Sequence, residues 1–97
     1  VTAELFKDTN MRLISPGKAL SSLEVLEMLQ ELKTWPLLDG YRGRPRCDVD
    51  ALVNAIVQFS IMVAAMGDRL IECEINPIFV FPAGHGVKAA DGIAVLN

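Results

Sequence analysis

Residues 72–77 read Glu-Cys-Glu-Ile-Asn-Pro, and this stretch predicts both a strand and a polar site. Side chains alternate between the two faces of a strand, so a strand over residues 70–76 carries Glu72, Glu74 and Asn76 on one face. The other face carries apolar or neutral side chains and is expected to belong to the core: Ile71, Cys73 and Ile75. The stretch therefore indicates a strand with one polar and one buried face.

Two further apolar runs follow and predict an antiparallel hairpin. They cover residues 78–81 and 87–95, and the loop between them contains Gly84 and Gly86. If Pro82 faces Val87, Asp91 lies opposite Ile78 and diagonal to Asn76, at roughly 7–8 Å between backbones. Asn76 and Asp91 are then close enough to bind one ion.

The oxygen atoms of these side chains suit a particular class of metal. Carboxylates and amide carbonyls are hard ligands that favour magnesium or manganese over zinc. Magnesium usually keeps waters and phosphate oxygens as its other ligands, so a nucleotide is expected at the site. The alternative is that Glu72 and Glu74 are solvated residues of an edge strand, Asn76-Pro77 is a turn, and Asp91 is a surface acid.

Composition limits the classes of protein to consider. The 97 residues suffice for one domain. The hydrophobic fraction is 52% and the aromatic fraction 6%, which describes an aliphatic globular chain with apolar surface available for a partner. Because the chain also starts at Val1 rather than at methionine, we expect a fragment of a larger protein.

Charge and hydropathy argue against two kinds of partner. The formal net charge of −3 and the pI near 5.0 argue against nucleic acid, since phosphates are bound by clustered Lys and Arg. No apolar stretch is expected to reach the roughly 20 residues that cross a bilayer, and no signal-peptide pattern is present, which favours the cytoplasm and no membrane partner. Cys47 and Cys73 lack metal-site or redox spacing and are expected to be reduced.

The first half of the chain alternates between strand and helix signals. Residues 1–6 and 11–14 read as strands, with turn residues at 8–10. Ser22 is the predicted N-cap of an amphipathic helix that Pro36 ends.

A second helix is predicted from the N-cap Asp48 to Gly67, with a wide apolar face that suggests deep burial. The resulting order is β-β-α-α-β-β-β. It predicts an α+β fold in which an antiparallel sheet carries both helices on one face.

Four segments together resemble a known family, although each alone is weakly specific. They are Glu4-Leu5-Phe6-Lys7-Asp8, Leu37-Leu38-Asp39-Gly40-Tyr41-Arg42-Gly43, Glu72-Cys73-Glu74-Ile75-Asn76-Pro77-Ile78 and Ala90-Asp91-Gly92. In this order they resemble the C-terminal half of the ATP-grasp domain of nucleoside-diphosphate-forming acyl-CoA synthetases. These include the ADP-forming acetyl-CoA synthetases and are related to the succinyl-CoA synthetase beta chain. Residues 15–20 fit the pattern least well.

The resemblance implies an ATP-dependent acid–CoA ligase that forms ADP through a phosphohistidine and an acyl phosphate. The family's metal-binding positions correspond to Glu74, Asn76 and Asp91, the set already reached from strand geometry. Glu74 has a second implied role, orienting the phosphorylated histidine, and which of Glu72 and Glu74 is the main acidic ligand stays open. That histidine is expected outside this chain, because the chain's single histidine, His85, lies in a glycine-flanked loop without an adjacent acid.

The basic loop before the second helix is a candidate for phosphate binding. Arg42 and Arg44 have guanidinium groups that suit phosphate oxygens. The alternative is that they are solvated charges or partners of Asp39 and Asp48.

The resemblance also sets expectations for partners and cofactors. It implies ATP or ADP and Mg²⁺ at this segment, with coenzyme A bound by other parts of the protein. The expected partners are CoA-binding and CoA-ligase domains or a subunit of the same enzyme, and a small carboxylic acid. Because the family's glycine-rich turn and its nucleotide-gripping lysine are not among these residues, the fragment alone is expected to be inactive.

Three roles and the oligomeric state remain open at this stage. Besides the ligase, the segment fits an acyl-CoA- or nucleotide-sensing module attached to a protein acetyltransferase. It also fits a non-catalytic interaction module that uses its aliphatic surface. The acid substrate is not identified by these residues.

Overall fold

The computed structural model of the chain describes residues 2–3, 8–9, 18–40, 43, 45–75 and 77–96. Its helices are α1 (Ser22–Gln30), α2 (Trp35–Asp39) and α3 (Val49–Met66), the last followed by a 3₁₀ helix, Gly67–Arg69. Its strands are β1 (Thr2–Ala3), β2 (Asp8–Thr9), β3 (Leu70–Ile75), β4 (Ile78–Val80), β5 (Val87–Ala89) and β6 (Gly92–Leu96). Helices and antiparallel strands are segregated along the chain, which confirms the α+β class.

The first strands differ from the prediction in their position. β1 pairs antiparallel with β2, with Thr2 opposite Thr9 and Ala3 opposite Asp8. Asp8 and Thr9 are therefore strand residues, and their prediction as a turn is wrong. The predicted strand at residues 11–14 lies outside the described residues.

The start of α1 is fixed by local hydrogen bonds one residue earlier than predicted. Ser21, not Ser22, is the N-cap: its hydroxyl accepts from the Glu24 amide, and the Glu24 carboxylate accepts from the Ser21 amide. This reciprocal pair satisfies two amide groups that a helix N-terminus leaves without partners within the helix.

The end of α1 also differs from the prediction. The helix stops at Gln30, and Pro36 lies in the first turn of the additional short helix α2. Proline is favourable there because the first-turn amide has no intrahelical acceptor in any case. Pro36 thus starts a helix rather than ending one.

The core lies where α1 packs against the N-terminal part of α3. Its buried side chains are Leu20, Val25, Leu29, Leu32, Val49, Leu52 and Val53. Val80 and Val87, which face each other across β4 and β5, pack on its margin. The hairpin is thereby attached to the helices.

Ser60 is a buried polar residue that connects α3 to the segment before α1. Its side chain is 1% exposed, accepts a hydrogen bond from the Leu20 amide at 3.0 Å and donates one to the Val57 carbonyl at 2.7 Å. The hydroxyl satisfies an amide 40 residues away in sequence.

Replacing Ser60 with alanine is expected to lower the free energy of unfolding by about 1–3 kcal/mol, because the Leu20 amide is left buried without an acceptor. Urea denaturation of Ser60→Ala and of the exposed α3 control Asn54→Ala measures this loss. Equal midpoints for the two variants would show that water replaces the hydroxyl without cost.

The C-terminal strands form two ladders that share one register. In the β3–β6 ladder Ile75 pairs with Gly92, and in the β4–β5 ladder Ile78 pairs with Ala89. These pairs are three positions apart on each strand, and between them the Ala90 amide donates to the Pro77 carbonyl at 3.0 Å, so the two ladders keep the same register. We call residues 72–80 and 87–95 together the ribbon, and residues 81–86 its tip.

This arrangement corrects the predicted hairpin. The run 87–95 is divided into β5 and β6, and β6 pairs with β3 rather than with β4. Ala89, not Asp91, lies opposite Ile78. Among the described residues, the antiparallel strands form three two-stranded ladders rather than one continuous sheet.

The predicted core face of β3 is largely exposed. Cys73 is half-buried, but Ile71 is 65% and Ile75 42% exposed. Ile71 also lies at a register irregularity between Leu70 and Glu72, where one extra residue disturbs strict alternation. The prediction that these isoleucines are buried is wrong for the described residues.

α3 is only partly buried, contrary to the expected deep burial. Its N-cap Asp48 and its end at Gly67, with φ of 54°, match the prediction. Ile61 and Met62, however, are exposed.

The helical segment Val49–Arg69 is also long and apolar enough to cross a bilayer by length and composition, so the expectation that no stretch reaches that length is wrong. The core helix of a soluble protein passes the same test.

Candidate functional site

Glu74 and Asp91 are brought to the same end of the β3–β6 ladder. Glu74 pairs with Ile93, and Asp91 directly precedes Gly92, which pairs with Ile75. A residue two positions along the opposing strand is a diagonal neighbour, at roughly 7–8 Å between backbones. Both residues are exposed, so two acids lie near one end of the β3–β6 ladder, accessible to solvent.

The two acids reach this position by a different pairing from the predicted one. The prediction brought Asp91 to the site across β4, whereas in the structure β6 returns along β3. The Asp91 carboxylate also accepts a hydrogen bond from the Gly92 amide at 2.8 Å. This contact orients one of its oxygens and leaves the other to bind a ligand.

Three of the predicted site residues, Asn76, Arg42 and Arg44, lie outside the described residues. The described arginine next to them, Arg46, pairs with Asp39 at 3.2 Å between exposed side chains. An exposed pair of this kind contributes at most about 1 kcal/mol. Asp39 thus has a partner, although not one of the two arginines considered from the sequence.

The surroundings of Glu74 are mainly apolar. An open groove of about 430 Å³ separates α3 from the β3–β6 ladder, and Glu74 borders it. α3 contributes Ala55, Gln58, Phe59 and Met62, and the strands contribute residues 73–75 and 92–94. Among the described residues no basic side chain lines this groove, so these walls offer Glu74 no cationic partner.

The donor set of the predicted metal site has the right chemistry for a hard cation. No group of three His, Cys, Asp or Glu side chains suited to a metal occurs among the described residues. Glu74 and Asp91 supply two carboxylates, and carboxylate oxygens are the ligands that magnesium prefers. Two protein carboxylates with waters and phosphate oxygens are a common magnesium arrangement, so these residues fit the ion.

Asp48 has a structural role that the sequence only half revealed. As predicted, its Oδ1 caps α3 by accepting from the Ala51 amide at 3.1 Å. Its Oδ2 accepts from the Gly86 amide at 2.7 Å, across 38 residues of sequence. No sequence signal indicated this second contact, because a helix N-cap is recognised locally and the hairpin tip is distant.

Further hydrogen bonds join the same two segments, and we call residues 46–48 the clamp. The Asp48 amide donates to the Phe81 carbonyl at 2.7 Å, and the Ala83 amide donates to the Arg46 carbonyl at 2.8 Å. Cys47 forms an antiparallel bridge with Pro82. The tip is therefore held against the start of α3 by backbone and side-chain contacts.

Hydrogen bonds lower the pKa of Asp48 below its ordinary value of 3.8. The largest cause is the Ala51 amide, followed by the Gly86 amide, and the positive charge of His85 acts in the same direction. His85 itself is exposed and lies in the tip, and no catalytic role is proposed for it.

This lowered pKa predicts a loss of stability in acid. A folded-state pKa below the unfolded value gives stabilisation that is present above pH 3.8 and is lost as pH falls through the folded value. Urea midpoints measured between about pH 5 and pH 2.5 should fall more steeply for the wild type than for Asp48→Asn. Parallel curves would show that Asp48 does not contribute to acid unfolding.

Both cysteines are free and half-buried. The expectation that both thiols are reduced stays a prediction. The Cys47 thiol lies 3.8 Å from the Leu37 carbonyl, to which it donates a weak hydrogen bond. Neither cysteine belongs to a cluster of metal ligands among the described residues.

Proteins named as CoA synthases and CoA ligases are similar to this chain over its full length. Trans-feruloyl-CoA synthase from an unknown prokaryotic organism is 40% identical over 97 residues, all of this chain and 13% of that protein. The beta subunit of the ADP-forming acetate–CoA ligase II of Pyrococcus furiosus is 29% identical over 97 residues, all of this chain and 39% of that subunit. The chain thus spans well under half the length of these relatives.

Solved structures share the fold of this chain. A crystal structure from Pyrococcus horikoshii matches with a TM-score of 0.84 and 30% identity, over 97% of this chain and 37% of that one. The dinucleotide forming acetyl-coenzyme A synthetase 1 of Ca. Korarchaeum cryptofilum matches with a TM-score of 0.79 and 28% identity, over 97% of this chain and 41% of that one. That structure is a complex with coenzyme A and Mg-AMPPCP, with its phosphohistidine segment pointing towards the nucleotide binding site.

The family itself follows from a match to nearly the whole sequence. The model of the ATP-grasp domain family matches residues 1–96. Together with the α+β fold and the similarity to ADP-forming CoA ligases, this match shows that the chain belongs to the ATP-grasp domain family.

Proposed function

We propose that this chain is part of an ADP-forming acid–CoA ligase and supplies acidic groups to the phosphate side of a bound Mg-nucleotide. The observation that carries the proposal is the juxtaposition of Glu74 and Asp91 at one end of the β3–β6 ladder. It occurs in a chain similar along its full length to CoA ligases that form ADP. The reaction joins a carboxylic acid to coenzyme A, with ATP converted to ADP and phosphate.

Within that enzyme, the chain corresponds to the C-terminal half of the ATP-grasp domain. Its coverage of 39% of the Pyrococcus furiosus beta subunit supports this division. The other half of the nucleotide site belongs to further segments of the same protein. The isolated chain is therefore inactive as a ligase.

Glu74, Asn76 and Asp91 are the proposed magnesium ligands. Asn76 lies outside the described residues and is proposed from its place in the sequence, two residues after Glu74. Its amide carbonyl would add a third oxygen ligand to the two carboxylates. When bound, the ion neutralises charge on the phosphate oxygens and orients them for in-line transfer.

The remaining assignments concern charge around the phosphates. Arg42 and Arg44 would contact phosphate through their guanidinium groups. Glu74, beside the groove, is also suited to accept a hydrogen bond from the imidazole of the phosphorylated histidine supplied by another segment. The arginines would thus offset the negative charge of the phosphates, and Glu74 would stabilise the imidazole that accepts the phosphoryl group.

The partners are the other parts of the same ligase. They are its CoA-binding and CoA-ligase domains or subunit, which hold coenzyme A and the histidine, and a small carboxylic acid. No nucleic acid or membrane partner is proposed, and the acidic pI of about 5.0 supports the first of these statements. The proposed location is the cytoplasm.

The test is ADP formation by the whole protein that carries this segment, with a panel of small carboxylic acids. ADP release should require both an acid and coenzyme A, and acyl-CoA should accumulate in equal amount. Release of AMP instead of ADP, or ADP formation that is independent of coenzyme A, would contradict the proposal. Inactivity with every acid would favour the acyl-CoA- or nucleotide-sensing module.

A further inference from the structure

The ribbon connects the Glu74–Asp91 pair to the clamp at the start of α3. Strand β3 carries Glu74 and continues into β4, and β5 leads into Asp91. Because both ladders share one register, the ribbon is a continuous two-stranded element between the acids and the tip. Gly86 lies five residues before Asp91, roughly 16 Å along an extended strand. The two acids are therefore separated from the clamp by one short stretch of ladder.

Among the described residues, the ribbon meets the helices where β3 and β5 lie against α3 and where the clamp binds its tip. Val80 and Val87 pack on the edge of the core, but Phe79 and Lys88 between the tip and the acids are exposed. An isolated two-stranded ladder is marginally stable in water, so its orientation depends on what holds its ends. The hydrogen bonds at residues 46–48 hold one of those ends.

Within the clamp, Asp48 is the residue that makes a side-chain contact to the tip. Its two carboxylate oxygens bind different elements, Oδ1 the Ala51 amide of α3 and Oδ2 the Gly86 amide of the tip. Gly86 has φ of 80° and its carbonyl accepts from the Phe81 amide, which closes the tip. One carboxylate thus links the first turn of α3 to the closed end of the ribbon, beside the backbone contacts of the clamp.

We propose that Asp48 is a positioning residue for the Glu74–Asp91 site, because it fixes the ribbon that carries both acids against the N-terminus of α3. The inference rests on the proposed metal–nucleotide function of those acids. Asp48 does not touch the metal or the nucleotide in this proposal. It acts through the Gly86 contact and the orientation of the ribbon.

The Ala51 and Gly86 amides that define this role also lower the pKa of Asp48, because donors to both of its oxygens stabilise the ionised carboxylate. An asparagine at this position retains an oxygen for the Ala51 amide. Its NH₂ group would face the Gly86 amide, so two donors would meet. A serine likewise keeps the cap and lacks the second acceptor.

The experiment uses the whole protein and measures Mn²⁺ binding in the presence of ADP, with free Mn²⁺ followed by electron paramagnetic resonance. Asp48→Asn and Asp48→Ser are expected to weaken Mn²⁺ binding by about tenfold, in the range measured when supporting residues around metal sites are changed. The matched control is Ser21→Ala, which removes the α1 N-cap and therefore lowers stability without touching the ribbon. All proteins are assayed well below their measured Tm.

The outcomes separate this inference from the proposed function. Weaker Mn²⁺–ADP binding in both Asp48 variants and wild-type binding in Ser21→Ala support positioning. Equal binding in all four proteins, or equal weakening in Ser21→Ala, overturns it even if the ligase is active. Conversely, absence of acid-dependent ADP formation refutes the ligase, whereas the Mn²⁺ comparison still decides whether Asp48 positions a metal–nucleotide site. If Asp48→Asn does not fold, Asp48→Ser alone decides the matter, because it preserves the cap.

Discussion

Replacing Asp91 with asparagine is expected to lower ADP formation by the whole protein on the order of 100-fold at saturating substrates, the usual cost of removing one preorganised charge-stabilising group. Asp91 is exposed at the edge of the ribbon, and the Gly92 amide orients its carboxylate. Asparagine preserves the size of the side chain and the Gly92 contact but removes the negative charge that binds a cation. The expected effect is therefore chemical rather than structural.

Measurement of kcat and of the Mg²⁺ concentration for half-maximal activity tests this expectation. A variant that has lost a metal ligand should need more Mg²⁺ and should recover partly at high concentrations of the ion. The matched control is Asp68→Asn, since Asp68 is also an exposed acid but lies in the 3₁₀ helix that precedes the other end of β3. If the two variants have the same activity, Asp91 is a solvated surface acid and the proposed site is wrong.

Replacing Leu29 with alanine is expected to lower the free energy of unfolding by about 2–5 kcal/mol, the range observed when a buried leucine is truncated. Leu29 is 1% exposed and belongs to the cluster between α1 and α3. The loss combines the transfer of apolar atoms with the cavity that they leave. Domains of this size are typically stable by only about 5–15 kcal/mol, so one residue accounts for a large part of the total.

Urea denaturation of the 97-residue chain measures this loss, and α1 provides its own control. Leu23 lies on the same helix and is 65% exposed, so Leu23→Ala is expected to change stability by less than about 0.5 kcal/mol. Similar losses for Leu23→Ala and Leu29→Ala would mean that the α1–α3 interface is not the stability core. A large loss for Leu23→Ala alone would place the buried face of α1 on the opposite side.

Helix ends were predictable from the sequence where the signal is local. Asp48 caps α3 and Gly67 ends it, as an acidic N-cap and a glycine with positive φ require. Ser21 and Ser22 are adjacent, and both residue types suit an N-cap. The structure selects Ser21 because this serine exchanges hydrogen bonds with Glu24. Pro36 was misread because proline both ends helices and starts them.

The strand pairing was less predictable because it depends on distant contacts. A four-residue and a six-residue tip both fit the glycines at 84 and 86. The longer tip is selected by its hydrogen bonds to Arg46 and Asp48, nearly 40 residues earlier in the chain. Local turn chemistry contains no information about such partners, so the register of Asp91 was wrong by two residues although its proximity to Glu74 was anticipated.

Burial of the strands could not be obtained from periodicity alone. Alternation identifies apolar side chains such as Ile71 and Ile93, but it does not say what covers them. Both are exposed in the structure. For the candidate site, the sequence identified the acids, whereas the contact between Asp48 and Gly86 required the three-dimensional structure.

The single register of the ribbon has a consequence for how its length can vary. An inserted residue in the tip, between Val80 and Val87, leaves every pair on the ribbon intact but alters the turn that the clamp binds. A residue inserted in one strand between Ile75 and Ile78 would turn every side chain beyond it to the opposite face. The two acids would then no longer be diagonal neighbours on one face. A change of length between Glu74 and the tip therefore has to be matched by an equal change between the tip and Asp91.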